Sequence, residues 1–204
     1  MSPAFDHLQK TLKKLPGLGY RSAERIALHL TLEKPQFVQE LIDALQQASQ
    51  NVKACSICGN LTEEAQCAIC TSEHRDHETI CVIEHVPDLY AIDRASVYKG
   101  AFHVLHGKLS PIQGVGPEDL NLESHAQRLA SGEVKEVILA LSNDLEGEAT
   151  CHYIQNTIIK KAASSIKLTR IGFGLPSGGG VIYADAPTLK NAFEGRRFFS
   201  GVAI

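Results

Sequence analysis

The chain has 204 residues, 44% of them hydrophobic and 21% charged, with 20 Lys and Arg against 23 Asp and Glu for a formal net charge of −3. These proportions exclude a disordered, collagen-like or acidic solvating chain, and the length suits one ordinary domain or two small ones. No apolar run approaches the roughly 18–20 residues of a membrane span, and the opening MSPAFDHLQK has no signal-peptide core, so no membrane partner and a cytoplasmic location are expected.

From Phe5 to about Asn51 the pattern is helical. Phe5, Leu8, Leu12 and Leu15 repeat at spacings of three and four and predict one apolar helix face. Pro16-Gly17-Leu18-Gly19 breaks that helix. A second follows with Ala23, Ile26, Ala27 and Leu30 inward. A third starts at about Pro35 and carries Phe37, Val38, Leu41, Ile42 and Leu45. About 50 residues of short helices bury a marginal core, so this unit is expected to lean on the rest of the chain or on another copy.

The net charge supplies no global attraction for nucleic acid, so any DNA contact must be local. Five basic residues (Lys10, Lys13, Lys14, Arg21 and Arg25) face one acid, Glu24, between positions 10 and 25. Within that stretch, the run from Leu15 to Ala27 reads h-x-G-h-G-x-x-x-A-x-x-h-h. Its glycines permit a tight turn with positive φ and a close approach to a phosphate. The helix N-terminus after them offers free N–H groups, and Arg21 and Arg25 sit one turn apart. This resembles a helix-hairpin-helix that grips DNA backbone through Lys13, Lys14, Gly17, Gly19, Arg21 and Arg25. The plainer alternative is a glycine-stabilised link between two helices.

Cys55, Cys58, Cys67 and Cys70 form C-x2-C-x8-C-x2-C, the spacing that presents two pairs of thiolates to one tetrahedral zinc. Gly59 lets the backbone turn its amides toward the sulfurs. Four thiolates leave no position for water, so the Zn²⁺ is expected to be structural. His74 and His77 read as solvated loop residues, and Cys81 and Cys151 as small buried hydrophobes.

Beyond Thr79, strands at 79–83, 101–105, 134–141 and 167–171 alternate with helices at 88–95, 118–130 and 147–163. That alternation predicts an α/β fold with a mostly parallel sheet covered on both faces. The first strand ends in Glu84, with Asp88 four residues later. The third ends in Ser142-Asn143-Asp144-Leu145-Glu146-Gly147-Glu148. Carboxylates beyond strand ends can share a hard cation such as Mg²⁺, or simply cap the helices that follow. Glu84, Asp144, Glu146 and Glu148 resemble the acidic set of Toprim domains. No tyrosine-bearing second domain and no clear general base accompany them, and a P-loop is absent. Gly107–Pro117 is a loop long enough to be a binding or interface segment, and the glycine-rich turn at 174–180 reads as a connector that could also approach a partner.

Taken in order, Leu15-Pro-Gly-Leu-Gly, the four cysteines, Leu109-Ser-Pro with Gly114-Val-Gly-Pro117, Glu146-Gly-Glu-Ala-Thr150, Gly174-Leu-Pro and Gly195-Arg196-Arg197 resemble the RecR family of bacterial recombination mediators over essentially the whole chain. The resemblance implies a helix-hairpin-helix region at 1–53, a four-cysteine zinc finger at 54–77, a Toprim domain at 78–172 and a C-terminal segment at 173–204. The apolar tail of that segment, at 198–204, would be costly if exposed and is expected to make a subunit contact, the alternative being a core-packed end. It implies a non-enzymatic clamp, a tetramer or dimer of dimers, on single- and double-stranded gapped DNA, nucleoid-associated when bound. With RecO and RecF such a clamp helps load RecA onto DNA coated by single-strand-binding protein. Glu84, Asp88, Asp144, Glu146 and Glu148 then lie at a partner surface, with Mg²⁺ optional. The chain departs from the family's pattern twice: the Ser142–Glu148 stretch is one residue shorter, and Val181 follows Gly178-Gly-Gly180 where an acid is usual. The competing readings are a Mg²⁺-dependent Toprim nuclease or primase-like enzyme and a zinc-stabilised protein adaptor.

Overall fold

The computed structural model describes residues 2–161 and 165–196. The apolar tail expected to make a subunit contact, at 198–204, and Arg197 lie outside the described residues. The chain divides into two compact units, Met1–Val52 and Lys53–Ile204.

The first unit holds helices α1 (Pro3–Leu12), α2 (Tyr20–Leu28) and α3 (Phe37–Asn51), with one wider turn at His29–Glu33 continuing α2. Pro3 opens α1, where its missing N–H costs no helical bond. Ala23 and Ala27 of α2 are fully buried, and α1 packs against α2. Two expectations need correction. Leu15 lies beyond the end of α1 in the turn and is half exposed. Helix α3 begins at Phe37, because Lys34, Pro35 and Gln36 form a turn in which the Lys34 carbonyl accepts from Phe37 N. No residue of α3 is buried, and Phe37, Ile42 and Leu45 are exposed.

The second unit opens with a two-stranded hairpin, β1 (Lys53–Ala54) and β2 (Leu61–Thr62), and the short helix α4 (Ala68–Thr71). A four-stranded parallel sheet follows, built from β3 (Asp76–Ile83), β4 (Gly100–Val104), β5 (Glu136–Ala140) and β6 (Lys167–Arg170) in the order β4-β3-β5-β6. Side chains alternate across a strand, and the run Ile80–Ile83 divides accordingly. Ile80 and Val82 join Val137, Leu139, Leu129 and Ile154 beneath helices α6 (Leu122–Ala130) and α7 (Leu145–Tyr153). Cys81 and Ile83 join Phe102, Val104 and Leu89 of helix α5 (Val86–Ala95) on the opposite face. Cys81 and Cys151 are therefore core residues, as their patterns predict. Each fully buried Ile, Leu or Phe contributes about 1.5–3 kcal/mol, which makes this double-faced burial the main stabilising element.

Helix α6 starts four residues later than predicted, because Pro117–Asp119 forms a separate single turn. Helix α7 starts two residues earlier, at the residue after Asp144, and widens over Ile154–Ile158. His77 is not in a loop: it is half-buried in β3, its Nε2 donating to the Ser72 carbonyl at 2.9 Å. Helix α8 (Ala186–Glu194), capped by Asp185 accepting from Thr188 N at 2.9 Å, lies in a segment for which periodicity offered no element. Among the described residues no helix is long and apolar enough to cross a membrane.

One buried pair sets a pH dependence. His103 of β4 and His125 of α6 are both fully buried, with ring centroids 4.7 Å apart. His103 Nε2 donates to the Asn121 carbonyl at 2.6 Å, while His103 Nδ1 and both nitrogens of His125 have no hydrogen-bond partner among the described residues. Burial, reinforced by Arg128, pulls His103 down to about 4. Burial, the neighbouring His103 and Arg128 push His125 well below its ordinary value. Both rings are neutral in the native state at pH 7, whereas in the unfolded chain they take up protons near pH 6.5. Stability is therefore lost as pH falls from 6.5 toward 4, by about 3 kcal/mol for His103 alone. In denaturant titrations between pH 7 and about 5, His125→Phe is expected to reduce the acid slope by about one proton. Zinc thiolates titrate equally in both proteins, so an unchanged slope would assign the acid lability to them.

Candidate functional site

The thiol cluster is assembled from two turns. Cys55 and Cys58 sit in the loop joining β1 to β2, Cys67 caps α4 and Cys70 lies within it. The four sulfurs lie within 4.8 Å of one another, with Cys58 and Cys67 Sγ 3.5 Å apart. A tetrahedral zinc with bonds of about 2.3 Å separates its sulfurs by about 3.8 Å, so the cluster fits the ion. Cys67 N points at Cys55 Sγ at 3.3 Å and Asn60 N at Cys58 Sγ at 3.5 Å. The second contact depends on Gly59, whose φ of +75° reverses the chain. Burial alone would raise the Cys55 thiol, but amides of Cys67, Cys58 and Ile57 directed at it bring it down to about 7. Such a thiol loses its proton to a metal at neutral pH. The finger is tied to the sheet, since Val104 N of β4 donates to the Cys58 carbonyl at 2.7 Å. A Cβ on Gly59 would lie 2.7 Å from Asn121 Nδ2 and 3.0 Å from the Val104 carbonyl.

The hairpin turn has the expected form with one difference. Gly17 has φ +78°, but Gly19 is extended at φ −78° and caps α2. A Cβ at either glycine would meet nothing within 4 Å, so the space above the turn is open. The first intrahelical bond runs from Ala23 N to the Gly19 carbonyl at 3.0 Å, leaving the amides of Tyr20, Arg21 and Ser22 ahead of it. Arg21 and Arg25 are exposed on successive turns, and Lys13 and Lys14 are exposed at the end of α1. Lys13 Nζ lies 5.7 Å from the Tyr20 ring centroid. None of these four cations has an ion-pair partner among the described residues.

The acidic edge is organised differently. Strands β3 and β5 end side by side where the connections diverge, β3 leading to β4 on one side and β5 to β6 on the other. Doubly wound sheets take ligands at such a point. Glu84 Oε1 there accepts from both Ser142 N and Ser142 Oγ at 2.6 Å. Asp88 accepts from His85 N at 2.8 Å and caps α5. Asp144 caps α7 by accepting from Gly147 N at 2.7 Å, and its other oxygen pairs with Lys108. That hydrogen bond to Lys108, with the Gly147 amide, holds the Asp144 carboxyl down at about 2. Glu146 accepts from Ser110 Oγ and lies 3.5 Å from Lys108 Nζ, and Glu148 pairs with Arg170. Asp88 and Asp144 are thus helix caps. Among the described residues, the cysteines are the one group of three or more metal-ligating side chains with donors within 4.8 Å.

Lys108, Ser110 and Arg170 belong to this edge, although sequence periodicity gave no sign of them. Leu109 N donates to Thr150 Oγ1 at 2.9 Å and Ser110 pairs with Val115, which fixes the 107–117 loop over the strand ends. The length of that glycine-bearing loop and its Leu109-Ser110-Pro111 motif were the signals available for Lys108 and Ser110. Gly147 is required for another reason: a Cβ there would lie 2.1 Å from the Ser142 carbonyl oxygen.

A helical hairpin with a cationic helix start, a four-thiol knot and an acid-edged parallel sheet in one chain define a zinc-finger protein of nucleic-acid transactions. The chain matches the RecR helix-hairpin-helix model over residues 5–49, the RecR four-cysteine zinc-finger model over 52–72 and the Toprim domain model over 78–172. It is 45% identical over 194 residues to Recombination protein RecR of Thermobifida fusca, covering 95% of this chain and 96% of that one. The corresponding protein of Halorhodospira halophila is 42% identical over 200 residues, 98% of each chain, and that of Streptomyces coelicolor 46% identical over 186 residues, 91% and 92%. The chain belongs to the RecR family of DNA recombination and repair proteins.

Metal analysis of the purified protein is expected to give one zinc per chain, lost with Cys58→Ser and on treatment with a strong chelator, with a lowered melting temperature in both cases. Gly147→Ala is expected to cost about 1–3 kcal/mol, because the added methyl meets backbone rather than a movable side chain. Denaturant unfolding against the wild type measures it.

Proposed function

We propose that this protein is a non-enzymatic recombination mediator. Copies of it assemble, as a tetramer or dimer of dimers, into a clamp on gapped DNA. With RecO and RecF, the clamp helps load RecA onto single strands coated by single-strand-binding protein. The observation that carries this reading is the open glycine turn leading into α2, with Arg21 and Arg25 exposed one turn apart and without acidic partners among the described residues. Amides at a helix start and flanking guanidinium groups recognise a phosphate whatever the base attached to it. Lys13 and Lys14 extend the same patch.

A chain of net charge −3 holds DNA weakly through one such patch, so affinity must come from several copies acting together. The exposed Phe37, Ile42 and Leu45 of α3 and Val181, Ile182, Tyr183 and Phe193 near the C-terminus support self-association. The acidic edge then serves as a surface for a basic partner. Exposed Leu145, between Asp144 and Glu146, supplies an apolar anchor there. Four thiolates give the zinc a closed shell, so its contribution is structural: it holds the finger on the end of β4.

The test is gel filtration of the zinc-loaded protein with gapped circular DNA, the same DNA linearised, and strand integrity checked afterwards. Retention on the circle with loss from the linear form is expected. Affinity should fall steeply with salt and depend little on sequence, the log–log slope decreasing by about 0.9 for each phosphate contact removed. Arg21→Glu with Arg25→Glu should abolish retention while the chain still folds and binds zinc. Cut DNA would move the acidic edge from partner surface to active site. Unaffected retention by the double variant would place DNA elsewhere on the protein.

A further inference from the structure

The Toprim match raises the question of whether a divalent cation belongs at the acidic edge, and the side chains there do not fit one. A hard cation needs carboxylate oxygens turned inward on a shared point. Here each acid is already committed: Glu84 to Ser142, Asp144 to Gly147 N and Lys108, Glu146 to Ser110 and Lys108, Glu148 to Arg170. At the centre of the arrangement stands an ammonium group. Lys108 Nζ contacts Asp144, donates to Ser142 Oγ at 3.2 Å and lies 3.5 Å from Glu146 Oε2.

We infer that Lys108 is the resident counter-cation of this edge and excludes divalent metal from it. Three features carry the inference. The ammonium lies at the point of chain divergence between β3 and β5, where a doubly wound sheet takes its ligand. It reaches there from backbone pinned on both sides of the lysine, by Gly107 N on the Glu84 carbonyl and by Leu109 N on Thr150 Oγ1, so little chain entropy opposes the contact. Its side chain is 23% exposed, against 72% for Lys135 and 73% for Lys190, which pair at the open surface. The neighbouring carboxylates, Asp144 foremost, also hold Lys108 in its charged form, its proton affinity raised. A metal ion entering the edge must displace this ammonium and strip Ser142 and Ser110 from their carboxylates. The inference is independent of the clamp reading, since the arginines of α2 hold DNA alike whether or not the acidic edge takes metal.

The experiment measures Mn²⁺ binding to the full-length, zinc-loaded protein by loss of the free-ion electron paramagnetic resonance signal. The wild type and Lys108→Arg are expected to leave millimolar Mn²⁺ free. Lys108→Met is expected to bind one Mn²⁺ per chain with at least about tenfold higher affinity, and Glu146→Gln added to it should abolish that binding. Wild-type binding lost on Glu146→Gln would overturn the inference, as would a folded Lys108→Met protein as inert as the wild type. Should the methionine variant fail to fold, acylation of the wild-type lysines, mapped by mass spectrometry, decides the matter. Lys108 is expected to react more slowly than Lys135 and Lys190, at a rate Mn²⁺ does not change. Acceleration of Lys108 alone by Mn²⁺ would show metal displacing the lysine and overturn the inference.

Discussion

Strand β3 pairs in parallel with β4 along one edge and β5 along the other, so both its faces and both its edges are covered. A strand so enclosed must be apolar on both faces, as Ile80-Cys81-Val82-Ile83 is, and its register is fixed because a slip of one residue would exchange two dissimilar cores. Much of the second unit follows from that constraint. Glu84 is delivered to the point of chain divergence because it is the first residue after Ile83. The β4 edge, set by pairing with β3, offers Val104 N to the Cys58 carbonyl and so seats the zinc finger. On the other side, β5 ends where Ser142 can donate twice to Glu84.

Charge is handled in opposite ways at the two candidate surfaces. The cations of the hairpin are left without acidic partners among the described residues, at no great cost because they are solvated. The carboxylates of the sheet edge are paired, capped or hydrogen-bonded one by one. An unpaired set of acids so close together would repel itself and raise its own proton affinities. Lys108 and Arg170 relieve that repulsion from within the chain, so an external cation is not required for the edge to be stable. A basic partner of the kind proposed above would face the same competition as a metal, and would recover the cost only through contact area, to which exposed Leu145 could contribute.

Zinc and the hydrophobic sheet divide the work of stability by element size. The region around β1, β2 and α4 has strands of two residues and a helix of four, too little apolar surface to order itself. Four thiolates on one ion replace a core there. The sheet needs no such help, and a costly feature of it is the adjoining pair His103 and His125, whose unpartnered nitrogens are tolerated only while both rings stay neutral.

The sequence alone determined what rests on local spacing. Two C-x2-C pairs and the h-G-h-G turn specify their geometry within a few residues. Strand β3 was legible because a doubly buried parallel strand must be apolar on both faces, as Ile80–Ile83 is. Edge strand β6, Lys167–Arg170, has no buried residue and was read from its place in the strand–helix alternation. Helix ends were less legible, since the start of α3 and the split before α6 depend on main-chain turn hydrogen bonds that most residue types can make. The caps made by Asp88 and Asp144 are local, each to a residue three positions away, but tertiary structure alone decided which groups meet the acids across the edge. Glu84 and Ser142 are 58 positions apart, and Lys108 lies 36 from Asp144. Whether such residues share a metal or pair with a lysine depends on where parallel strands end in space, and no local pattern encodes that.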